Sequence, residues 1–147
     1  LAYPDPADEM QARFSMQYCL SAALVQGRLS LTDFTPEAIF RQEIRQHMPK
    51  ITMTAFTAQQ ERGVERIAHQ VTITLNDGQK LNIERLHANG SIAIPLTDAE
   101  RRSKFSGCMR WANLEPDPIH QALENLRQAH SVKTIVDTIS KHLDETG

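Results

Sequence analysis

A basic residue, an amide and a tyrosine lie close together in the segment 7–29 of this 147-residue chain. Arg13 and Gln17 are four positions apart, a spacing that places two side chains on one face of a helix. Tyr18 follows directly and carries a hydroxyl that seeks a hydrogen-bond partner when it is buried. At a cleft wall, Arg13 and Tyr18 could together hold a carboxylate. Alternatively, Tyr18 is a core residue that bonds a backbone carbonyl, and Arg13 is solvated.

A second group of polar side chains follows from a predicted β-hairpin. The loop sequence Asn76-Asp77-Gly78 separates two strand-like segments and favours a left-handed glycine at its third position. The hairpin predicts three cross-strand pairs on one face: Ile73 with Leu81, Val71 with Ile83, and His69 with Arg85.

Strand parity also places His87 on the face of Leu81, Ile83 and Arg85, so the buried face becomes cationic at one edge. The turn at residues 89–91, Asn-Gly-Ser, could offer backbone N–H groups to an anion. Alternatively, the strand simply emerges into solvent there.

Capping and periodicity predict the elements that position these groups. Asp5-Pro6 predicts a helix start, and that helix should end near Gly27. Thr35-Pro36-Glu37 predicts a second helix to about His47. Alternating apolar residues then predict a strand through Ile51, Met53 and Ala55.

Helices return after the hairpin. Thr97 and Glu100 form a predicted capping box, and Asp117-Pro118 predicts a helix to about His130. Ser131 should cap a last helix. Its predicted apolar stripe comprises Val132, Ile135, Val136, Ile139 and Leu143. The fold class expected is α+β in two layers, with a small antiparallel sheet (the hairpin and at least one more strand) packed with helices and further helices at the C-terminus.

Composition excludes several classes of function. Hydrophobic residues are 40% and charged residues 23%, as in ordinary soluble proteins. A net charge of −2 and a pI of about 6.3 argue against bulk binding to nucleic acid or anionic lipid. No apolar run approaches the roughly 18 residues of a membrane span. Cys19 and Cys108 are expected to be reduced core thiols of a cytoplasmic protein.

Motifs for metal, phosphate or nucleophilic chemistry are absent from the sequence. No two of the six histidines have zinc-ligand spacing, and there is no P-loop, G-x-S-x-G or CxxC. The basic run Arg101, Arg102 and Lys104 favours a solvated helix face over nucleic-acid binding. Phe105, Met109 and Trp111 nearby are expected to be core residues.

The ordered motifs resemble the C-terminal domain of the MmgE/PrpD family. That domain opens with a small–basic–Phe–Ser–x–x–Tyr pattern, an alanine-rich helix, a glycine and a short apolar link to Phe. The matching residues are Ala12, Arg13, Phe14, Ser15, Tyr18, Ala22, Ala23, Gly27 and Phe34. The segments "VTITLNDGQ" and "HANGSIAIPLTDAERRSKF" are similar to later family segments. The resemblance spans roughly residues 7–108, in the family's order.

This resemblance implies a function. The family includes 2-methylcitrate dehydratase, cis-aconitate decarboxylase and iminodisuccinate epimerase, which move a proton next to a carboxylate of a small polycarboxylate without a redox cofactor. It implies a lid domain at residues 1–113, with helices at 114–147 packed on it or on an N-terminal helical domain. That helical domain, which supplies most acid–base groups, is outside this chain. The chain alone is therefore expected to be inactive, and the whole protein to be a cytoplasmic homodimer without metal.

The resemblance also implies roles for individual residues. Tyr18 matches the family tyrosine that faces the substrate, so it is the predicted catalytic residue. Arg13 and His87 match family positions that are often basic or histidine, and they are predicted substrate-binding residues. Arg85 is predicted to join them because of its place at the cationic edge of the hairpin, not because of the resemblance. The alternative is a free-standing, non-catalytic module that binds a small ligand or a partner, with a closed surface and its last helix packed on its own core.

Overall fold

The computed structural model describes residues 3–62, 67–125 and 131–144, and its architecture is α+β, as predicted. The strands are β1 (His69–Thr74) and β2 (Lys80–Arg85). The helices are α1 (Glu9–Arg13), α2 (Met16–Gln26), α3 (Gln42–Arg45), α4 (Ala58–Glu61), α5 (Asp98–Trp111), α6 (Pro116–Glu124) and α7 (Lys133–Asp144). The chain divides into two compact units, Leu1–Met53 with Arg101–Gly147 and Thr54–Glu100, called here the first and the second unit.

The predicted opening helix is in fact two helices. Asp8, not Asp5, caps α1, with its Oδ1 accepting the N–H of Gln11 at 2.8 Å. The chain leaves the helical conformation at Ser15, which caps α2 by accepting the N–H of Tyr18 on its Oγ at 3.1 Å. A serine can compete for backbone N–H groups in this way, and here it restarts the helix. The end at Gly27 is confirmed, with a φ of 69°.

The segment after Gly27 forms short turns, so the predicted helix to His47 is wrong. Three 3₁₀ turns, Leu31–Phe34, Ala38–Phe40 and Met48–Lys50, surround the four-residue α3. Arg41 has a ψ of 122° and interrupts the helical path between Phe40 and Gln42. These turns close a core over α2, formed by Ala12, Tyr18, Ala22, Phe34, Ile39, Ile44 and Met48.

The strand predicted through Ile51, Met53 and Ala55 is also wrong. This segment is irregular, and Met53 and Ala55 are exposed. Alternation alone does not make a strand, because a strand needs a partner for its backbone groups. The described part of the chain contains one sheet, which is formed by β1 and β2 only.

The hairpin has the predicted register and loop. His69 faces Arg85, Val71 faces Ile83 and Ile73 faces Leu81. The Leu75 N–H donates to the Gln79 carbonyl at 2.8 Å, and Gly78 has a φ of 85°. The apolar face was expected to be buried, but it is not. Ile73, Leu81 and Ile83 are all exposed, since the sheet has only two strands and one layer.

The start of α5 has the predicted capping box. The Thr97 N–H donates to Glu100 Oε2 at 2.7 Å, and the Glu100 N–H donates to Thr97 Oγ1 at 3.3 Å. The hydrogen bonds from the Thr97 hydroxyl and N–H hold the pKa of Glu100 below its usual value. Further along α5, Phe105 and Met109 are half-buried, whereas Trp111 is exposed rather than part of a core.

The last two helices pack against each other. α6 starts at Pro116 after the N-cap Glu115, slightly earlier than predicted, and its predicted end near His130 lies outside the described residues. The Ser131 cap is confirmed, because its Oγ accepts the Lys133 N–H at 3.1 Å. Of the predicted stripe, Ile135 is buried and Ile139 half-buried. The remaining three stripe residues, Val132, Val136 and Leu143, are exposed.

Both cysteines are free thiols. Cys19 is half-buried, and its Sγ donates to the Ala12 carbonyl at 3.6 Å. Burial raises the pKa of this thiol, which therefore stays protonated and unreactive near neutral pH. Cys108 was expected in a core but is exposed on α5. Among the described helices, none is long and apolar enough to cross a membrane.

Candidate functional site

Tyr18, the predicted catalytic residue, lies in the core of the first unit. Its side chain is fully buried, and its ring packs on Phe34 with a centroid distance of 5.8 Å. Its hydroxyl donates to the backbone carbonyl of Asp33, fifteen residues further along the chain. Tyr18 therefore joins α2 to the 3₁₀ turn at Leu31–Phe34. Its role as a catalytic residue stays a prediction.

A compact polar network fixes the carbonyl group that receives the Tyr18 hydroxyl. The buried carboxylate of Asp33 accepts hydrogen bonds from the Ser30 N–H and the Ser30 hydroxyl, both at 2.8 Å. Arg41 Nη1 lies 3.7 Å from Asp33 Oδ1, and Arg41 Nη2 donates to the Thr32 carbonyl at 3.3 Å. Neither Asp33 nor Arg41 was predicted from the sequence as a site residue. The available signal was the Ser-x-x-Asp spacing of Ser30 and Asp33, which is typical of a cap.

Electrostatics keep the Tyr18 phenol neutral. Burial raises its pKa above the ordinary value of 10.0, and the negative charge of Asp33 raises it further. The positive charges of Arg41 and Arg45 oppose this shift but do not cancel it. At neutral pH Tyr18 is therefore protonated, and it can donate a hydrogen bond or a proton but cannot serve as a base.

Arg13, a predicted substrate-binding residue, is the last residue of α1 and is exposed. Its Nη2 pairs with Glu9 Oε2 at 3.4 Å, an i,i+4 pair on the helix surface. The break at Ser15 ends α1 before Gln17, so the prediction that Arg13 and Gln17 share a helix face is wrong. An exposed ion pair of this kind contributes little stability, which leaves Arg13 available to another carboxylate.

Arg85 and His87 lie in the second unit, at and just beyond the end of β2. The predicted pairing of Arg85 with His69 is confirmed. Arg85 is exposed, and its Nη1 donates to the neighbouring Glu84 carbonyl at 3.0 Å. His87 is half-buried. The structure thus brings Arg85 and His69 together across the ladder, as predicted, while Arg13 and Tyr18 belong to the first unit.

The turn at residues 89–91 cannot cradle an anion as predicted. The Gly90 N–H donates to the Ile94 carbonyl at 2.8 Å, and the Ser91 N–H donates to the Ala88 carbonyl at 3.1 Å. Both donors are thus used within the loop. Gly90 has a φ of 84°, and an added Cβ would lie 3.4 Å from Leu96, so the glycine here serves the turn itself.

One residue of the basic run on α5, Arg102, lies near acidic side chains of α6. Arg102 lies 3.5 Å from Asp117 Oδ1 and 3.8 Å from Glu124 Oε1, both on α6. His120 packs edge-on against Phe105, and its Nδ1 lies 3.2 Å from Glu124 Oε1. That nitrogen has no well-aligned hydrogen-bond partner, so the contact with Glu124 is close but poorly directed. Arg102 therefore links α5 to α6 through exposed ion pairs, which contribute little stability.

Among the described residues, no group of three or more histidine, cysteine or acidic side chains is placed to hold a metal ion. Of the residues predicted to be functional, Tyr18 lies in the network with Asp33 and Arg41 in the first unit, and Arg85 pairs with His69 at the basic end of the hairpin in the second. The guanidinium groups of Arg41 and Arg85 are of a type that binds carboxylates.

Comparison with known proteins places these features in a family context. Residues 2–137 match the family model of the MmgE/PrpD C-terminal domain. Over 102 residues the chain is 26% identical to the cis-aconitate decarboxylase of Mus musculus, an alignment that covers 69% of this chain and 21% of that protein. The chain thus spans about one fifth of the length of that relative.

Proposed function

The chain belongs to the MmgE/PrpD family, and on that premise we propose that it is the C-terminal lid domain of a lyase or isomerase that acts on a small polycarboxylate. The reaction is general acid–base chemistry at a carbon next to a carboxylate. An N-terminal helical domain of the same protein supplies the base. The observation that carries the proposal is the family match over residues 2–137, together with a relative that is a decarboxylase.

In this proposal Tyr18 acts as a neutral donor. Its phenol is protonated at neutral pH, so it can stabilise a developing negative charge on a substrate carboxylate or return a proton to carbon. The hydroxyl donates to the Asp33 carbonyl in the present structure. Contact with a substrate therefore requires Tyr18 to exchange that bond for one to the substrate.

The basic side chains bind the carboxylates. Arg13 exchanges its exposed pair with Glu9 for a substrate carboxylate, and Arg85 with His87 holds a second one. Closure of the lid would exclude water and strengthen these contacts.

Exposed apolar side chains support a lid that docks on further protein. Val132, Val136 and Leu143 lie exposed along α7, and the hairpin exposes Leu81 and Ile83. The rival, a free-standing binding module, calls instead for a closed surface and a last helix packed on its own core. We therefore favour the lid, with a homodimer as the assembly of the whole protein.

Turnover by the full-length protein tests the proposal. The panel is citrate, 2-methylcitrate, cis-aconitate and iminodisuccinate, each with the wild type, Tyr18→Phe and the matched control Tyr3→Phe. Tyr3 is exposed, so its hydroxyl should not matter. We expect one substrate to turn over, with a loss of about 10²-fold or more in kcat for Tyr18→Phe only, as general acid catalysis contributes.

One result would contradict the lid function, and another would contradict only the catalytic role of Tyr18. The lid function is wrong if the full-length protein turns over none of the panel while this 147-residue chain binds one member tightly; the free-standing module then takes its place. If turnover occurs but Tyr18→Phe matches Tyr3→Phe, the lid function stands and Tyr18 is only a core residue. Light scattering of the full-length protein tests the homodimer.

A further inference from the structure

We propose that a pocket in the first unit, beside Arg45 and Gln17, binds a small monocarboxylate with a short apolar chain. The pocket has a volume of about 410 Å³. Small-molecule sites are typically clefts of roughly 300–1,000 Å³ lined by apolar groups with a few convergent polar ones. Its lining residues are Pro4, Asp5, Gln17, Arg45, Met48, Pro49 and Ile51, all within the first unit.

The guanidinium of Arg45 is held rigidly at the pocket. Its Nη1 donates to the carbonyl oxygens of Pro6 and Ile39, both at 3.1 Å. Its Cζ also lies 5.3 Å from the centroid of the Phe40 ring, so the planar group is stacked as well as bonded. Because these contacts fix Arg45 before any ligand arrives, little conformational freedom is lost on binding.

The second terminal nitrogen of Arg45, Nη2, is bonded to a carboxylate of the same chain. It donates a hydrogen bond to Oδ1 of Asp5, a residue forty positions earlier in the sequence. The Asp5 side chain is 81% exposed, whereas that of Arg45 is only 25% exposed. Asp5 can therefore turn out into water while Arg45 stays in place. We read the Asp5 carboxylate as the group that a ligand carboxylate displaces.

A second polar group, the side-chain amide of Gln17, faces the same pocket. Gln17 lines it from α2 and is half-buried, and its side-chain amide makes no hydrogen bond to any residue that the structure describes. An amide offers two N–H donors and one acceptor. Its N–H groups suit the second oxygen of a carboxylate that is already bound to Arg45.

The lining selects the rest of the ligand. Met48, Pro49 and Ile51 offer an apolar surface to a short alkyl chain. A single guanidinium matches a single carboxylate, and the nearby Asp5 charge opposes a second one. The site does not depend on the proposed function, since binding can be measured on this chain without catalysis.

Titration of the ¹⁵N-labelled 147-residue chain with pentanoate tests the proposal. Binding is detected by NMR as changes in the chemical shifts of the amide signals. Pentanamide has the same shape without the charge and serves as the ligand control. We expect saturable shifts of the Gln17 side-chain amide with pentanoate and none with pentanamide. Asp5→Ala removes the internal competitor and should tighten binding roughly two- to fivefold, the equivalent of an exposed ion pair.

Matched variants separate the site from general effects. Gln17→Leu should weaken binding roughly three- to tenfold, as the loss of one hydrogen bond implies. Gln26→Leu changes an exposed residue of the same helix outside the pocket and should not alter the affinity. Asp137→Ala breaks the exposed Lys133–Asp137 pair on α7 and should likewise have no effect.

Three outcomes would overturn the proposal. The first is a set of shifts that grow linearly without saturation. The second is equal affinity for pentanoate and pentanamide, which would exclude recognition of the charge. The third is an Asp5→Ala variant that binds with wild-type affinity, because Asp5 would then not occupy the ligand position.

Discussion

The N-terminal part of the first unit buries a core of apolar side chains, whereas the hairpin of the second unit leaves most of its apolar side chains exposed. In residues 3–53, short helices and 3₁₀ turns enclose a core in which Tyr18, Ile39 and Ile44 are fully buried. In the hairpin, the apolar residues of the predicted inner face, Ile73, Leu81 and Ile83, are exposed.

The difference in burial follows from the number of packed layers in each region. The N-terminal segment folds back on α2 several times, so its turns supply a second layer for the core. A two-stranded hairpin supplies only one layer and needs another element to cover its apolar face. Local pairing can therefore be complete while burial is not. Variants and pH titrations can test this contrast between buried and exposed apolar side chains.

Truncation of apolar side chains measures the contrast directly. Ile44→Ala should lower the free energy of unfolding by about 2–4 kcal/mol, because Ile44 is 0% exposed and leaves a cavity. Ile83→Ala should cost about 1 kcal/mol or less, because Ile83 is 47% exposed. Urea unfolding compares the two. Equal losses would mean that the hairpin face is covered in solution.

Removal of the Tyr18 hydroxyl tests the bond that closes the N-terminal core. Tyr18→Phe leaves the Asp33 carbonyl without its donor and should cost about 1–2 kcal/mol. Tyr3→Phe, at an exposed residue, should leave the urea midpoint unchanged. A Tyr18→Phe variant as stable as the wild type would show that this hydrogen bond contributes nothing.

Two helix caps, at Ser15 and Thr97, allow a matched comparison of a buried and an exposed cap. Ser15→Ala removes a fully buried cap of α2 and should cost about 1–2 kcal/mol. Thr97→Ala removes an exposed cap of α5, where water can replace the lost bond, and should cost about 0.5–1 kcal/mol. Thermal unfolding of both variants measures the difference, and a reversed order would refute the argument from burial.

Alkaline pH should weaken the N-terminal core. The pKa of Tyr18 is raised above its value in the unfolded chain by burial and then by Asp33. The folded state thus holds its proton more tightly. This stability is complete below the ordinary value of about 10 and is lost as the pH rises through the folded pKa. Tyrosinate absorbance of Tyr3→Phe reports Tyr18 alone, and titration at or below the ordinary pKa would contradict this expectation.

Acid should have a smaller effect, at the start of α5. The pKa of Glu100 is lowered by hydrogen bonds from Thr97, so its contribution is present above the unfolded pKa and lost as the pH falls through the folded one. Glu100→Gln keeps an acceptor for the Thr97 N–H but removes the charge. We expect a slight loss of helical circular dichroism in acid for the wild type, and a weaker pH dependence for the variant.

Much of the fold was predictable where it depends on near neighbours. The loop at residues 76–78 and strand parity predicted the register of β1 and β2, which is confirmed. The same reasoning failed for the opening helix, because its apolar pattern runs through Ser15 without a break. The helix is interrupted because the Ser15 side chain accepts a hydrogen bond from the Tyr18 N–H. A serine inside an apolar run does not by itself predict that this bond will form.

The candidate site was less predictable. The sequence suggested Tyr18 and Arg13 as neighbours on one helix, but the break at Ser15 puts them on different helices. The partner of Tyr18 is a backbone carbonyl at Asp33, and any residue type has such a group. Only the cap spacing of Ser30 and Asp33 indicated an ordered turn there.

The family can be identified from the amino-acid sequence alone, because its motifs follow one another in order along most of the chain. The hairpin register and the caps at Thr97 and Ser131 follow from residues that are near neighbours in sequence. Three features depend on the tertiary fold: which apolar residues are buried, which group the Tyr18 hydroxyl bonds, and the contact of Asp5 with Arg45. Those contacts join residues fifteen and forty positions apart. Chain folding brings these residues together, and local propensities do not predict contacts between residues so far apart in sequence.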